Sequence, residues 1–521
     1  MDPQLIAALP AATHRWPGQL AAVDMGSNSF RLEIAQVTDS GQYRRVDYLK
    51  ETVRLGAGLD SEGRLTEEAQ QRGLACLMRL AQRLRGFEPA QVRAVATQTL
   101  REARNRDAFL QRAQAALGFP IEVISGREEA RLTFAGVARL QPSHQSRLVI
   151  DIGGRSTEMI LGLGRRPVRA ESFGVGSVGL SLRFFGDGRY TEEAFRAAQI
   201  AAGAEFEEAL EPFAPEHWQE ALGSSGTVGA VSQVLAAAGQ SDGRITPDGL
   251  RWLIDQCLRA GRVDRLQLPG LKEDRRPIIA GGLCILYTLA AHFGIESLVA
   301  ARGALRQGVV FDLAERLAVR QRSDGAPISG NDVRDASVRE LQRRFMVDVQ
   351  QAERVFSVAD VLYRQVQPKA GAEARRELRW ACALHEMGMM VSHHDHHRHS
   401  AYLLGHVDAA GFSQSQQRRL ADLVLAQRGG LRKVEPLLAQ EAFAWQALCL
   451  RLAIIKCHAR APVRTDALAL RRTASSAALE YSGEWADTHP RTVYLLREEA
   501  DTWARVPSIG LSLPSAPPFA G

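Results

Sequence analysis

The chain has 521 residues, 45% of them hydrophobic and 24% charged, which is the balance of a soluble globular protein too long for a single core. Its formal net charge of +6 and pI near 9.1 are not gathered into the runs or stripes of a nucleic-acid binder, yet they suit the steering of a polyanion into a cleft. No uncharged stretch reaches the length of a membrane span, no secretory pattern opens the chain, and six scattered cysteines without a C-x-x-C pair fit reduced thiols in a cytoplasm.

In chain order, residues 20–23 read as a buried strand ending at Asp24. Gly26 and Ser27 then permit a tight turn, and residues 31–35 form the returning strand. Helical spacing marks residues 67–85 and 106–117. The strand, Asp and small-residue turn recur at 148–150, Asp151 and Gly153-Gly154, with residues 159–161 returning. Backbone N–H groups and Ser or Thr hydroxyls in such turns suit phosphate oxygens, and the Asp can reach a divalent cation bound to the same oxygens. Asp151 and Glu158, seven residues apart across the turn, can face one cation. A third small-residue turn spans 221–228 and leads into a helix, placing N–H groups where the helix dipole favours an anion. Residues 277–291 read as a buried core helix.

Past about residue 315 the strands give way to helical periodicity, over 331–379 and 413–460. The turn-rich stretch 320–330 reads as the main domain boundary, and the tail from Pro507 as loosely ordered. Gly174 to Gly179 matches the dinucleotide fingerprint literally, but no βαβ unit with a following acidic residue supports it. No glycine precedes a lysine, so Walker A is absent.

Phosphoanhydride hydrolysis needs a carboxylate to orient or deprotonate water. Glu128 and Glu129, near the start of a predicted helix, are equal candidates by sequence, and both equally fit the preference of helix N-termini for negative charge.

The two turns, the 221–228 segment, residues 97–101, 124–132, 268–271 with Arg275-Arg276, 384–388 and 397–402 together resemble the exopolyphosphatase and guanosine pentaphosphate phosphohydrolase family, in register over roughly residues 18 to 405. The resemblance implies an α/β N-terminal half of two actin-like (ASKHA, ribonuclease H-like) domains, 1–140 and 141–315. It also implies a mostly α C-terminal half, with an HD-like helical domain at 320–465 and a small region at 466–521. Glu129 becomes the general base. Arg101 pairs with the terminal phosphoryl group, and Ser27, Asn28, Ser29, Gly153, Gly154, Ser156, Thr157, Gly223, Ser224, Ser225, Gly226 and Thr227 contact phosphate. Asp24, Asp151 and Glu158 hold Mg²⁺, with K⁺ as a further cation.

The activity so implied is release of orthophosphate from inorganic polyphosphate. Guanosine pentaphosphate is the alternative substrate, and an inactive nucleotide or polyphosphate sensor is the alternative of a different class. No nucleic acid partner is implied. A cytoplasmic homodimer is, with association at a membrane surface left open. Two departures stand out. Arg155 replaces the third glycine of the second turn, either adding a phosphate contact or loosening the loop. His385-Glu386 replaces the His-Asp pair of HD phosphohydrolases, and with His393, His394, His396, His397 and His399 nearby it reads as a remnant scaffold in preference to a second metal centre.

Overall fold

A computed structural model describes residues 18–38, 41–322, 332–473 and 476–514. Contacts divide the chain into two compact units, 1–326 and 327–521. The stretch expected as the main boundary lies, from residue 323 on, outside the described residues.

The first unit holds two five-stranded sheets built on one plan. In the first, β1 (Gln19–Met25) and β2 (Ser29–Val37) form a hairpin that β3 (Tyr43–Thr52) extends antiparallel, while β4 (Val92–Ala96) and β5 (Ile121–Val123) add on parallel beyond β1. Helices α1 (Glu67–Arg83), the short α2 (Gln98–Glu102) and α3 (Arg106–Leu117) connect them. The Thr66 side chain accepts from Ala69 N at the start of α1, and Gly118 at φ 80° ends α3. Helix α4 (Gly126–Leu140) follows.

The second sheet repeats the order with β6 (Ser146–Ile152), β7 (Thr157–Leu163) and β8 (Arg166–Phe173) antiparallel, then β9 (Glu220–Ser224) and β10 (Leu298–Ala300) parallel beyond β6. Around it lie α5 (Ser177–Phe185), α6 (Glu192–Phe206), α7 (Ser225–Ala237), α8 (Pro247–Ala260) and α9 (Ile279–His292), the last buried along most of its length as its composition predicts. This duplicated α/β plan is the actin-like architecture.

Helix α4 joins the two sheets. Its Phe134, Ala130 and Val137 pack with Val149, Ile160 and Leu222 of the second sheet. Its Leu132 packs with Leu20, Ala22 and Val95 of the first sheet and with Leu305, Val309 and Val310 of α10 (Leu305–Arg322). Full burial of side chains such as Leu132 and Phe134 contributes roughly 2 kcal/mol each. The division expected at 140 and 315 therefore needs correcting: α10 follows the second sheet in sequence but packs on the first. A Cβ at Gly308 would lie 1.7 Å from Leu132 O, so glycine is what lets α10 approach α4.

The second unit is mostly helical, as expected: α11 (Val333–Arg344), α12 (Val349–Val366), α13 (Ala372–Leu384), α14 (His396–His406), α15 (Gln414–Ala426), α16 (Glu435–Leu438) and α17 (Glu441–Lys456). The small region expected at 466–521 is not separate. Strands β11 (Ala469–Thr473) and β12 (Ser476–Glu480), with helices α18 (Gly483–Thr488) and α19 (Pro490–Trp503), contribute Leu470, Leu479, Leu496 and Trp503 to the core of the helices. The tail was expected to be loosely ordered, but β13 (Gly510–Ser512) pairs parallel with β12 and Ile509 is buried. Residues 515–521 lie outside the described residues. No described helix is long and apolar enough to cross a membrane.

Candidate active site

Both hairpin turns open on one cavity of about 560 Å³ between the two sheets. Its wall carries Asp24, Ser27, Asn28 and Ser29 from the first turn, Asp151, Gly153, Gly154 and Ser156 from the second, Ser225, Gly226 and Thr227 at the start of α7, and Glu129 from α4. The turns touch: a Cβ on Gly154 would lie 3.2 Å from the Ser27 Cβ. The N–H groups of Ser27, Asn28, Gly154 and Arg155 have no hydrogen-bond partner among the described residues, and the buried Ser29 hydroxyl has none either. The Ser27 and Ser29 groups are buried, and buried donors left in this state cost free energy unless a ligand accepts from them.

The Gly174–Gly179 segment, set aside as a nucleotide motif, braces the second turn. Ser177 N and Oγ donate to Gly153 O at 2.9 and 3.0 Å, and Val178 N donates to Gly154 O at 2.8 Å. A Cβ at Gly176 would come within 2.3 Å of Arg155 N, so only glycine permits this docking. The Gly153 and Gly154 carbonyls are consumed, the Gly153 N–H donates to Ser156 O, and the Gly154 and Arg155 N–H groups remain.

Five residues expected in the site lie off the cavity wall. Thr157 is buried and donates to Val175 O at 2.6 Å. Gly223 and Ser224 belong to β9, not to a turn; Gly223 makes room for Val228 and Leu298, and Ser224 Oγ donates to Gly303 O at 3.3 Å. Glu158 is buried opposite Asp151 and accepts from Ser172 Oγ at 2.8 Å. Arg101 donates to Glu129 Oε2 at 2.8 Å, so it meets the carboxylate rather than the open cavity. At the start of α7, Ser225 has φ 97°, a strained value for a non-glycine residue, and its Oγ accepts from Thr227 N and Val228 N at 3.2 and 3.4 Å. The anion-binding capacity expected there is thus partly spent internally.

The structure separates Glu128 from Glu129. Ser125 Oγ accepts from Glu128 N and caps α4, so both glutamates sit in its first turn. Glu128 turns to a buried ion cluster, with Arg131 at 2.7 Å and Arg93 at 3.7 Å, both of which also hold Asp312 of α10. Glu129 turns to the cavity. One helical turn on, Thr133 donates to Asp151 Oδ2 at 3.3 Å, so one face of α4 supports both acids. Burial raises Glu129 above the ordinary carboxylate range despite the opposing pull of Arg101. Burial, then the Glu129 charge, pushes Asp151 up to about 7. Glu158 stands well above its usual value for the same two reasons.

Asp24 is engaged by Arg31 at 3.2 Å and Arg306 at 3.6 Å. Among the described residues no three His, Cys, Asp or Glu side chains are placed to cage a metal ion. The donor chemistry still fits Mg²⁺, which is commonly held by one or two carboxylates plus substrate phosphates and water. Asp151 and Glu129 on the wall repel one another, a repulsion that a cation relieves, and Asp151 is the residue that would hold it while Glu129 stays free for water. Glu158 would act from behind them.

Sequence reading missed most of the positive wall. Arg31, Arg45 and Lys50 come from β2 and β3, Lys272 and Arg275 from the segment before α9, and Arg302 and Arg306 from the entry to α10. These seven cations face three wall carboxylates, Asp24, Glu129 and Asp151. Only the Leu268–Leu271 and Arg275-Arg276 pattern signalled any of them. Arg155 adds no cation to the wall. Its Nε donates to Glu102 Oε2 at 2.8 Å, and its backbone φ is unstrained.

In the helical unit, His385 Nδ1 pairs with Cys382 O at 2.7 Å, and Glu386 is ion-paired with Arg460. Burial pushes His385, His396 and His397 down to about 4, leaving them neutral.

A family profile described as the Ppx/GppA phosphatase family matches residues 34–317, and one described as Ppx/GppA phosphatase, domain III, matches residues 333–500. An exopolyphosphatase-like protein of known structure is 26% identical over 57% of this chain and 99% of its own, with a TM-score of 0.51. An exopolyphosphatase from Cytophaga hutchinsonii, 22% identical over 60% of this chain and 99% of its own, has a TM-score of 0.52 and is alike in fold. A PPX-GPPA enzyme from Aquifex aeolicus is 25% identical over 57% and 99%, with a TM-score of 0.48. With more than half of its length inside the first profile, and both small-residue turns meeting one cationic cavity, the chain belongs to the Ppx/GppA phosphatase family.

Proposed function

We propose that the protein is an exopolyphosphatase that hydrolyses the terminal phosphoanhydride of inorganic polyphosphate and releases orthophosphate. One observation carries this reading: the unpaired N–H groups of both turns, the Glu129 carboxylate and seven cationic side chains converge on a single cavity. The turns hold the terminal phosphoryl group, and the basic wall takes the phosphates behind it. Glu129 orients the attacking water and accepts its proton. Arg101 holds that carboxylate from behind and opposes the rise in its pKa. A bound Mg²⁺ would neutralise phosphate oxygens, supported by Asp151. The six free, buried cysteines are consistent with a reducing cytoplasm. Homodimerisation remains part of the proposal.

Purified protein with Mg²⁺ is expected to release orthophosphate from long-chain polyphosphate, and chelation is expected to stop it. Faster turnover of guanosine pentaphosphate would reassign the substrate. Binding of polyphosphate without any release would favour a sensor.

A further inference from the structure

We infer that Arg155 is a positioning residue, which ties the second turn to α2 and thereby fixes the aim of Glu129. Four consecutive contacts carry this. Arg155 Nε donates to Glu102 Oε2 at 2.8 Å, and the other oxygen of Glu102 accepts from Gln98 Nε2 at 2.6 Å. Gln98 Oε1 accepts from Arg101 Nε and Nη2 at 2.8 and 2.6 Å. Arg101 Nη1 then donates to Glu129 Oε2 at 2.8 Å. The chain starts on the β6–β7 hairpin of the second sheet, passes along one face of α2 beside the first sheet, and ends on α4.

The chemistry of Gln98 makes the chain directional. Its amide has one acceptor oxygen and one donor nitrogen, so it can serve Arg101 only while its NH₂ faces Glu102. Glu102 stays turned to Gln98 while Arg155 holds its second oxygen. Without Arg155, the Glu102 carboxylate can swing to water and the Gln98 amide can rotate, presenting donors to a guanidinium that has only donors. Arg101 is then held by Ile124 O alone on this side, at 3.0 Å. Because Arg155 stands on the turn of the second sheet's hairpin and Glu102 on α2 beside the first sheet, separating the sheets would break the chain at its first link. The pair is partly exposed, at 28% and 32% of the side chains, so it adds little to global stability. Its effect is on geometry.

The inference rests on Glu129 acting as the group that orients water, and the test uses two independent readouts on the full chain. Arg155→Ala and Glu102→Gln should each lower kcat on inorganic polyphosphate roughly tenfold, the scale set by small misplacements of reacting groups. KM should move by no more than about twofold, because the lost interaction acts in the transition state. Arg155→Lys should recover part of the rate. In ¹⁵N-arginine-labelled protein, hydrogen exchange of the Arg101 Nε–H, assigned by its loss in Arg101→Lys, should quicken roughly fivefold or more in both variants. Unchanged kcat with unchanged exchange would overturn the inference. So would a raised KM with intact kcat, which would make Arg155 a direct phosphate ligand. If the wild type released no orthophosphate, the proposed reaction would fall, and faster Arg101 exchange in the variants would still uphold the positioning chain.

Discussion

Asp151 and Glu158 stand directly opposite one another in the antiparallel β6–β7 pair, whereas the matching position of the first sheet sets Asp24 opposite Arg31. The duplicated fold thus carries a like-charge pair in one copy and an ion pair in the other. This asymmetry leaves the second hairpin's carboxylates with an unmet demand for positive charge, which a proton meets.

The first prediction follows from the sign of that demand. The Asp151 pKa is pushed up to about 7 in the folded protein, against roughly 3.9 when unfolded. Between those values the folded state binds more protons, so this group's contribution to stability falls as pH rises from about 4 to 7. Ligand-free Asp151→Asn should lose less Tm than the wild type across that window. Parallel melting curves for the two proteins would contradict it.

A second prediction separates adjacent glutamates. Glu129→Gln should reduce phosphate release by roughly 10²- to 10⁴-fold while polyphosphate binding persists. Glu128→Gln breaks a buried ion cluster and should cost about 3 kcal/mol in denaturant unfolding, with kcat little changed. Reversal of the two phenotypes would assign the water-orienting role to Glu128.

The third concerns Gly226. A Cβ there would fall 2.0 Å from Arg275 Nη2, so Gly226→Ala should displace that guanidinium. Arg275→Ala removes it. Both should weaken triphosphate binding roughly 10-fold or more by titration calorimetry, as expected for a lost charged hydrogen bond. Full affinity in either variant would count against Arg275 as a phosphate ligand.

Thr157 supplies a structural control. Thr157→Val removes the buried hydroxyl that donates to Val175 O and should cost about 1 kcal/mol of stability. Phosphate release should stay near the wild-type rate, since Thr157 does not reach the cavity. A large loss of activity at unchanged stability would return it to the phosphate-binding set.

Local chemistry made much of this molecule legible before any coordinates. Alternating and continuous apolar runs marked β1, β2, β6 and β7, small residues after Asp24 and Asp151 marked the turns, and helical spacing marked α1 and α3. Short-range dihedral preferences and side-chain periodicity impose these features within a few residues. Which way Glu128 and Glu129 face is a different kind of fact. It depends on α10 approaching α4 through Gly308 and presenting Asp312 to Arg131, a contact 181 residues away in sequence. The burial of Thr157, the partner of Arg155 and the convergence of seven cations from β2 to α10 are likewise set by long-range packing. No local pattern carries such contacts, because they form only when distant segments close on one another.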